Sequence, residues 1–267
     1  MKSNTHAFRV PSIFERVFIK CFNRKILILQ LVVNDWLLAF ILVSGMTISV
    51  LLKKLTLVGA LVGGLLALFI YLGVGFTGIG LMAAFFILGT LATSHRLEVK
   101  ERLKAAEKEK GRRNVIQVLA NAAIPSFFGL LAFIFPNLVY PFTLMLAASF
   151  SSATADTLSS ELGTVYGKKF YNILTLQKDK RGLDGVISLE GTLFGIAGSV
   201  IIAILYALDF GWSLSLAWIV LAGTLGNLTD SLLGATLQRR HYINNNGVNL
   251  LNTVVAAGSA VLLSALE

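Results

Sequence analysis

Long apolar segments recur along nearly the whole chain and are separated by short polar segments. From about residue 27 this pattern predicts eight membrane-crossing helices, near 27–52, 55–73, 75–93, 115–135, 138–155, 186–208, 213–237 and 247–265. Most approach the roughly 20 apolar residues that a helix needs to cross the hydrocarbon core of a bilayer. The expected fold is therefore an all-α, polytopic transmembrane helix bundle, with seven crossings as the alternative count.

The first 26 residues differ from the rest of the chain. Residues 11–25 set apolar side chains against basic ones, as in a helix that lies on a membrane surface. The expected organisation is a basic amphipathic segment, 1–26, followed by a single transmembrane catalytic domain, 27–267. Only 14% of the residues are charged, against about 25% in soluble domains, so no separate soluble domain is expected.

The formal net charge is +9, but the basic residues are divided among short segments between apolar helices. Membrane lipids are therefore the expected partners, and nucleic acid is not. The loops after the first, third, fifth and seventh crossings hold 17 Lys and Arg residues, and the loops between them hold none. The positive-inside rule assigns those four loops to the cytoplasm. The six basic residues of the N-terminal segment would then lie on the other side, which conflicts with the rule.

Two patterns concern local structure. The loop 95–114 mixes charges of both signs with good helix formers and is expected to form a short solvated helix. Small residues at three- and four-residue spacing predict close approach of helices. They occur at Gly59, Gly63 and Gly64, and again at Gly191, Gly195 and Gly198.

Ionisable residues inside membrane segments are costly and are functional hypotheses by default. In the segment SFSSATADTLSSELG, Asp156 and Ser160 share a helical face at the cytoplasmic end of a crossing, and Glu161 lies on another face. A carboxylate there could bind Mg²⁺, which takes one or two carboxylates together with phosphate oxygens. The alternative is a helix end solvated by the cytoplasm.

Asp230 is the most costly residue, because it stands inside an apolar crossing. It shares that segment with Asn227 and Ser231. Since neither aspartate is favourable alone, Asp156 and Asp230 are expected to converge and to share a cation. Amide pairs, which could equally be interhelical contacts, occur at Gln117 and Asn121 and at Asn249 and Asn252.

A third candidate segment is GVISLEGTLFGIAGS, where Glu190 precedes Gly191 and Thr192 as the chain re-enters the membrane. Free backbone N–H groups at such a helix start suit phosphate. An ordinary capped helix is the alternative. The chain has no GxxxxGK[ST], HExxH or CxxC motif. A transporter or channel that uses Asp156 and Asp230 is the competing function, although no internal repeat supports it, and a non-catalytic scaffold is a third.

Six segments occur in the order FFILGTLATSHRLEVKE, GRRNVIQVLAN, ATADTLSSELG, GVISLEGTLFGIAGS, GNLTDSLLGATLQ and NNNGVNLLNT. From about residue 55 to the C-terminus they resemble the integral-membrane family, numbered ninety-two among the domains of unknown function, that includes phytyl phosphate kinase. The resemblance implies an NTP-dependent kinase that converts an isoprenyl (phytyl or prenyl) monophosphate to the diphosphate at the cytoplasmic face. A remoter similarity to CTP-dependent polyprenol kinases and phosphatidate cytidylyltransferases favours CTP as the donor.

The resemblance and the candidate residues together imply a site. Asp156, Glu161 and Asp230 would be catalytic, and Asp156 and Asp230 would hold Mg²⁺. Nucleotide and phosphate would be bound by Lys178, Lys180, Arg181, Ser188, Glu190, Gly191, Thr192, Asn227, Ser231, Asn249 and Asn252. The substrate would be an isoprenoid lipid phosphate whose tail lies between the Gly-rich helices, and a homodimer is left open. Residues 178–185 depart from the family pattern, which leaves the nucleotide or the substrate preference open.

Overall fold

The computed structural model describes residues 34–103 and 111–266, so the predicted amphipathic segment 1–26 lies outside the described residues. The described residues belong to two units, which are divided between Gly45 and Met46. The elements in chain order are α1 (Asn34–Leu51), α2 (Leu57–Ser94), α3 (Leu97–Arg102), α4 (Val115–Ile134), a 3₁₀ turn (Pro136–Leu138), α5 (Val139–Tyr166), β1 (Tyr171–Asn172), β2 (Val186–Ile187), α6 (Leu189–Phe210), α7 (Ser215–Leu233), a π-helix (Gly234–Gln238) and α8 (Asn245–Ser264). Strands β1 and β2 pair antiparallel.

Helix α2 makes two passes rather than one. Its 38 residues would span about 57 Å if straight, nearly twice the roughly 30 Å thickness of the hydrocarbon core. Gly75 leaves the helical conformation at φ 65° and ψ −151°, a region that is open mainly to glycine. After Gly75 the chain runs back toward the start of α2. A hydrogen bond shows this return, since Lys54 Nζ, just before α2, donates to Ser94 Oγ at the end of α2 (2.8 Å).

Seven helices in the described part of the chain are long and apolar enough to cross a membrane. Because α2 folds back on itself, they provide eight passes, and the predicted all-α, polytopic bundle is confirmed. The largest difference in boundaries is at α5. The sequence predicted that this crossing ends near 155, whereas the helix continues to Tyr166 and so carries Asp156 and Glu161.

Helix α5 lies at the centre of the bundle and contacts α2, α4, α6, α7 and α8. Every residue from 146 to 155 is at most 1% exposed. Small residues permit this packing, since a Cβ at Gly223 would overlap the side chain of Ser151. The hydroxyl of Ser151 donates a hydrogen bond to the carbonyl oxygen of Ile219 on α7 (3.1 Å). The buried hydroxyl of Ser151 is therefore bonded inside the protein, and those of Ser149 and Ser152 are bonded to α8.

Helices α5 and α6 approach each other along a face of glycines. A Cβ at Gly191 would lie 2.9 Å from the carbonyl oxygen of Ser159, and one at Gly195 would lie 3.0 Å from that of Ala155. The close approach predicted for the second glycine group is confirmed. Because the two backbones are in contact, this interface has no space for the prenyl tail that the sequence analysis placed between Gly-rich helices.

One end of the bundle, here termed the polar end, carries the described residues 95–103 and 111–114 of the α2–α4 loop, and residues 167–188, the α5–α6 loop. Helices α2, α4, α6 and α8 begin there, each with an N-cap side chain that accepts a backbone hydrogen bond of 3.0 to 3.1 Å. The caps are Thr56, Asn114, Ser188 and Asn244. At the opposite end, Thr77 Oγ1 donates to Asp209 Oδ2 (2.6 Å).

Candidate active site

A cavity of about 250 Å³ lies at the polar end, bounded by α4, α5, α7, α8 and the α5–α6 loop. Its walls are mostly polar. Seven of the predicted site residues line it, namely Asp156, Glu161, Ser188, Asn227, Asp230, Ser231 and Asn249. Further amide side chains in the lining are Gln117, Asn121, Gln238, Asn245 and Asn246. The cavity thus collects residues that are distant in sequence, and most of them can donate or accept hydrogen bonds.

Two aspartates form the acidic part of the cavity. Asp156 lies on α5 and Asp230 on α7, and their carboxyl groups are within hydrogen-bonding reach of each other. The prediction that these two residues converge is confirmed. Both residues are partly buried. Two carboxylates held this closely in a restricted space repel each other when both are ionised, which favours a proton or a cation between them.

Asn252 binds the Asp230 carboxylate on the side that faces away from the cavity. Its Nδ2 donates a hydrogen bond to Asp230 Oδ1 (2.9 Å), and its Oδ1 accepts one from Ser152 Oγ (3.1 Å). Asn252 is 1% exposed and does not line the cavity. The sequence analysis placed it among phosphate-binding residues, whereas its contacts orient the Asp230 carboxylate on the buried side.

Two other amides face the cavity itself. A Cβ at Gly195 would lie 2.8 Å from Asn227 Nδ2, so the glycine leaves room for this side chain. On α8, the buried Oδ1 atom of Asn249 has no hydrogen-bond partner among the described residues. A buried amide oxygen without a partner is costly and is an available acceptor for a bound ligand.

Glu161, which is partly buried, forms an ion pair with the fully buried Lys100 of α3. The ammonium group also donates to the carbonyl oxygens of Ala92 (2.9 Å) and Thr93 (2.7 Å) at the end of α2. The α2–α4 loop does contain a short helix, but the expectation that it is solvated is wrong for Lys100, which is 1% exposed. Carbonyl groups at a helix end and a carboxylate together compensate for burying this charge.

Sequence reasoning missed Arg113, which lines the cavity from the end of the α2–α4 loop. It was counted only among the basic residues of that loop. The available signal was its position directly before Asn114, the N-cap residue of α4. Asp184, Asn245 and Asn246 also line the cavity without having been singled out.

The basic residues predicted on the α5–α6 loop do not reach the cavity. Lys178 and Lys180 are exposed and are not part of its lining. Arg181 donates from Nη2 to the carbonyl oxygen of Val165 (3.0 Å) and stacks over the ring of Phe170 at 5.6 Å. These contacts hold the loop against the end of α5, so the placement of all three residues does not support the predicted phosphate-binding role.

A single arginine ties the α5–α6 loop to the end of α7. Arg239 Nη2 donates to Asp179 Oδ2 (2.8 Å), and its Nε donates to the carbonyl oxygen of Asp184 (2.6 Å). This bond to Arg239 is the main reason that the pKa of Asp179 lies below its usual value. Burial raises the pKa of the Asp184 carboxyl, and the positive charges of Arg239 and His241 oppose that rise.

The predicted phosphate cradle at the start of α6 is instead a helix cap. Ser188 Oγ accepts the Gly191 N–H (3.1 Å), and the Ser188 carbonyl accepts hydrogen bonds from the N–H (3.0 Å) and the hydroxyl (3.1 Å) of Thr192. Neither Gly191 nor Thr192 lines the cavity. Glu190 accepts the backbone N–H of Lys168 (3.3 Å) outside it. These contacts are those of an ordinary capped helix, which the sequence analysis gave as the alternative.

The residues of the cavity fit a shared cation better than a metal centre built by the protein alone. In the described part of the chain, no three acidic, histidine or cysteine side chains are grouped so that they could hold a metal ion. Asp156 and Asp230 are a pair, and Mg²⁺ is commonly bound by one or two carboxylates plus phosphate oxygens of a substrate. The unpartnered oxygen of Asn249 adds a neutral acceptor to the same cavity.

The fold and the cavity define a class of protein: a multi-pass, α-helical integral membrane protein with an acidic and amide-lined cavity at one end of its bundle. The chain belongs to the family described as integral membrane protein DUF92, which it matches over residues 39–257. The family assignment made from the sequence is confirmed.

Relatives of the chain come from archaea, plants and cyanobacteria. It is 37% identical to an uncharacterized membrane protein of Methanocaldococcus jannaschii, over 71% of this chain and 77% of that protein. It is 32% identical to Protein VTE6, chloroplastic, of Arabidopsis thaliana, over 82% of this chain and 70% of that protein. An uncharacterized membrane protein of Synechocystis is 34% identical over 75% of this chain and 79% of its own length. No solved structure matches the chain.

Proposed function

We propose that the protein is a membrane-embedded kinase that transfers the terminal phosphoryl group of a nucleoside triphosphate to an isoprenyl monophosphate. The observation that carries the proposal is the pairing of Asp156 and Asp230 in a polar cavity at one end of the bundle. The family resemblance supplies the substrate class, and the remoter similarity favours CTP as donor. Mostly basic loops support a cytoplasmic site, where nucleoside triphosphate is available.

The reaction would proceed by direct displacement. An oxygen of the isoprenyl monophosphate attacks the terminal phosphorus, a new phosphorus–oxygen bond forms, and the bond to the leaving nucleoside diphosphate breaks. The products are the isoprenyl diphosphate and the nucleoside diphosphate. Such a transfer depends mainly on positioning and on neutralising phosphate charge.

Asp156 and Asp230 would hold Mg²⁺, which would neutralise phosphate charge in the cavity. The residues of the chain would then fix the geometry. Asn252 holds the Asp230 carboxylate through its 2.9 Å hydrogen bond, and Asn249 offers a buried acceptor. The beginnings of α4 and α8 line the cavity, and their positive dipole ends favour bound anions.

A transporter is the competing function at the level of sequence, but the packing of the described residues does not favour it. The cavity is confined to the polar end, and the middle of α5 is packed on all sides by neighbouring helices. A pathway across the membrane would need to pass through this packed region.

The test is transfer by purified protein in detergent, supplied with radiolabelled CTP, ATP, GTP or UTP and a panel of prenyl alcohols, prenyl monophosphates and phosphatidate. Labelled prenyl diphosphate is expected, with no product from the alcohols. Asp156→Asn should lose this activity. Asp209→Asn is the matched control, because this aspartate lies at the opposite end of the bundle, bonded to Thr77. Absence of product from every donor and acceptor pair, in a folded and monodisperse sample, would overturn the proposal.

A further inference from the structure

The cavity wall formed by α4 and α8 carries amide side chains. Gln117 and Asn121 lie on α4, and Asn245, Asn246 and Asn249 lie on α8. For the amides that it singled out, the sequence left open whether they bind a ligand or join helices. In the described part of the chain, no hydrogen bond links any of these five side chains to another helix. Hydrogen bonding between helices therefore does not account for them.

The two amides on α4 are held in one orientation by hydrogen bonds to the backbone. Gln117 Oε1 accepts the N–H of Asn114 (2.9 Å), which leaves the Gln117 Nε2 as a donor. Asn121 Nδ2 donates to the carbonyl oxygen of Gln117 (3.0 Å), which leaves the Asn121 Oδ1 as an acceptor. That oxygen has no hydrogen-bond partner among the described residues, and Asn121 is 8% exposed. The wall thus presents one donor and one acceptor in fixed orientations.

Two further amides in the lining lack partners. Asn249 Oδ1 on α8 is buried and has no hydrogen-bond partner in the chain as described. Asn227 on α7 is 5% exposed, and neither of its amide atoms is hydrogen-bonded to a described residue. Buried amide groups without partners are costly and uncommon in native proteins. The cavity therefore has hydrogen-bonding capacity that a ligand can satisfy.

The missing partners must include donors, because the free atoms of Asn121 and Asn249 are amide oxygens. Ionised phosphate oxygens accept hydrogen bonds and do not donate them, and a prenyl chain does neither. The nucleoside of a triphosphate does donate, through the amino group of a base such as cytosine or adenine and through the hydroxyl groups of ribose. Water bound to Mg²⁺ also donates, and a triphosphate without a nucleoside distinguishes these two sources.

We propose that the amides of the α4–α8 wall bind the nucleoside of the phosphoryl donor. Asn121 and Asn249 accept hydrogen bonds from its N–H or O–H groups, and Gln117 donates one to it. This inference rests on the proposed function and deepens it, because it divides the cavity into two parts. Asp156 and Asp230 take the phosphates through Mg²⁺, and the amides take the nucleoside.

The experiment compares ligands that share a triphosphate chain. Calorimetric titration of the purified protein in detergent, with Mg²⁺, measures the affinities for CTP, ATP and inorganic tripolyphosphate. Wild type is expected to bind at least one of the two nucleotides more tightly than tripolyphosphate. Asn249→Leu keeps the volume and removes the acceptor, so it should weaken binding of that nucleotide by about 10- to 100-fold, because a donor of the ligand is then buried without a partner. Its affinity for tripolyphosphate should equal that of wild type.

A second variant, Asn121→Leu, should have the same selective effect. Asn137→Leu is the matched control, because Asn137 is exposed in the turn between α4 and α5 at the opposite end of the bundle. This control should bind every ligand as wild type does. In the ligand-free protein, Asn249→Leu should not lower the melting temperature, since it removes an unpaired oxygen rather than a hydrogen bond.

The 2′,3′-dideoxy form of the bound nucleotide identifies the donor group, because it has no ribose hydroxyl. If Asn249→Leu does not weaken binding of this form, ribose is the partner of Asn249. If Asn249→Leu weakens it as it weakens the parent nucleotide, the base is the partner. Both results support binding of the nucleoside.

The remaining outcomes separate the two proposals. If wild type binds none of the three ligands, the proposed function is overturned and this inference with it. If wild type binds tripolyphosphate as tightly as both nucleotides, or if neither Leu variant weakens nucleotide binding, the inference alone is overturned. Equal weakening of nucleotide and tripolyphosphate would assign the amides to phosphate or to water on Mg²⁺, which also overturns it. Should Asn249→Leu fail to fold, Asn121→Leu decides by the same comparison.

Discussion

The α2–α4 loop and the α5–α6 loop look alike in sequence, because both join membrane helices at the same end and both are basic. In the structure they use their charges in opposite ways. The α2–α4 loop turns Lys100 into the protein and presents Arg113 to the cavity. The α5–α6 loop leaves Lys178 and Lys180 exposed, and Asp184 is the charged residue that it contributes to the lining of the same cavity.

The difference follows from what each charge can contact. Lys100 finds the carbonyl oxygens of Ala92 and Thr93 and the carboxylate of Glu161, and these acceptors replace the water that it loses. Lys178 and Lys180 lie on a part of the α5–α6 loop that does not line the cavity, and both are exposed to solvent. A basic loop beside a membrane cavity therefore does not by itself indicate phosphate binding, because its basic side chains need not line the cavity.

The largest expected effect is on phosphoryl transfer, and it comes from changing an aspartate of the cavity that both loops line. Asp230→Asn should abolish phosphoryl transfer, by several orders of magnitude, because the amide keeps the volume but loses the charge that would bind Mg²⁺. The measurement is turnover with a confirmed substrate at saturating Mg²⁺, with monodispersity in detergent as the fold control. Near-normal turnover would show that the reaction does not use this carboxylate, and the transporter hypothesis would then be tested first.

The second effect contrasts the two loops directly. Lys100→Met leaves the partly buried carboxylate of Glu161 without its cation, and because breaking a fully buried ion pair typically costs about 3–5 kcal/mol, we expect a loss of stability below that range. Lys178→Met, the matched change on the other loop, should alter stability and activity little. Thermal unfolding in detergent measures both. The double variant Lys100→Met with Glu161→Gln should recover part of the loss, and equal melting temperatures for the two single variants would contradict the contrast.

A third variant tests the position of the α5–α6 loop. Gly185 has φ 71°, and a Cβ there would overlap the backbone of Ala235 in the π-helix after α7. Gly185→Ala should therefore push the loop away and cost about 1–3 kcal/mol through strain and overpacking. Protease cleavage within 167–188 should become faster. Gly211→Ala is the control for backbone strain alone, since it also has positive φ but open space around its Cβ position. Equal cleavage of this loop in both variants would argue against the contact.

The smallest effect is a pH dependence of the same loop. The hydrogen bond from Arg239 holds the pKa of Asp179 in the folded protein below the ordinary value of 3.8. The contribution of this ion pair to stability is therefore complete above pH 3.8, and it is lost as the pH falls through the lower pKa of the folded state. Wild type should therefore show an added rise in protease sensitivity of the loop below pH 3.8. Asp179→Asn should lack that added rise. Identical pH profiles would mean that this exposed ion pair does not hold the loop.

The helix bundle and the approach of Asp156 to Asp230 could be predicted from the sequence. Placing a polar backbone or a carboxylate in an apolar environment costs a large free energy, and this cost depends only on the local sequence. A carboxylate in an apolar segment needs a partner wherever the chain goes, so the approach of Asp156 to Asp230 could be predicted without knowledge of the fold. The burial of Lys100 could not be predicted from the sequence, because its hydrogen-bond acceptors lie on α2 and α5 and come together only when the helices pack. At Gly191 the free N–H groups expected from the pattern are bonded by Ser188, which the same sequence also allowed.

The burial of α5 bears on how the protein is made. Ser149, Ser151 and Ser152 are fully enclosed in the finished bundle, but α6, α7 and α8 are synthesised after them. Until α7 arrives, the hydroxyl of Ser151 lacks the carbonyl oxygen of Ile219 as its acceptor, and hydrocarbon provides no substitute. The middle of α5 should therefore enter the bilayer late, together with the helices that enclose it, and truncation of the nascent chain before α7 should leave this segment poorly inserted.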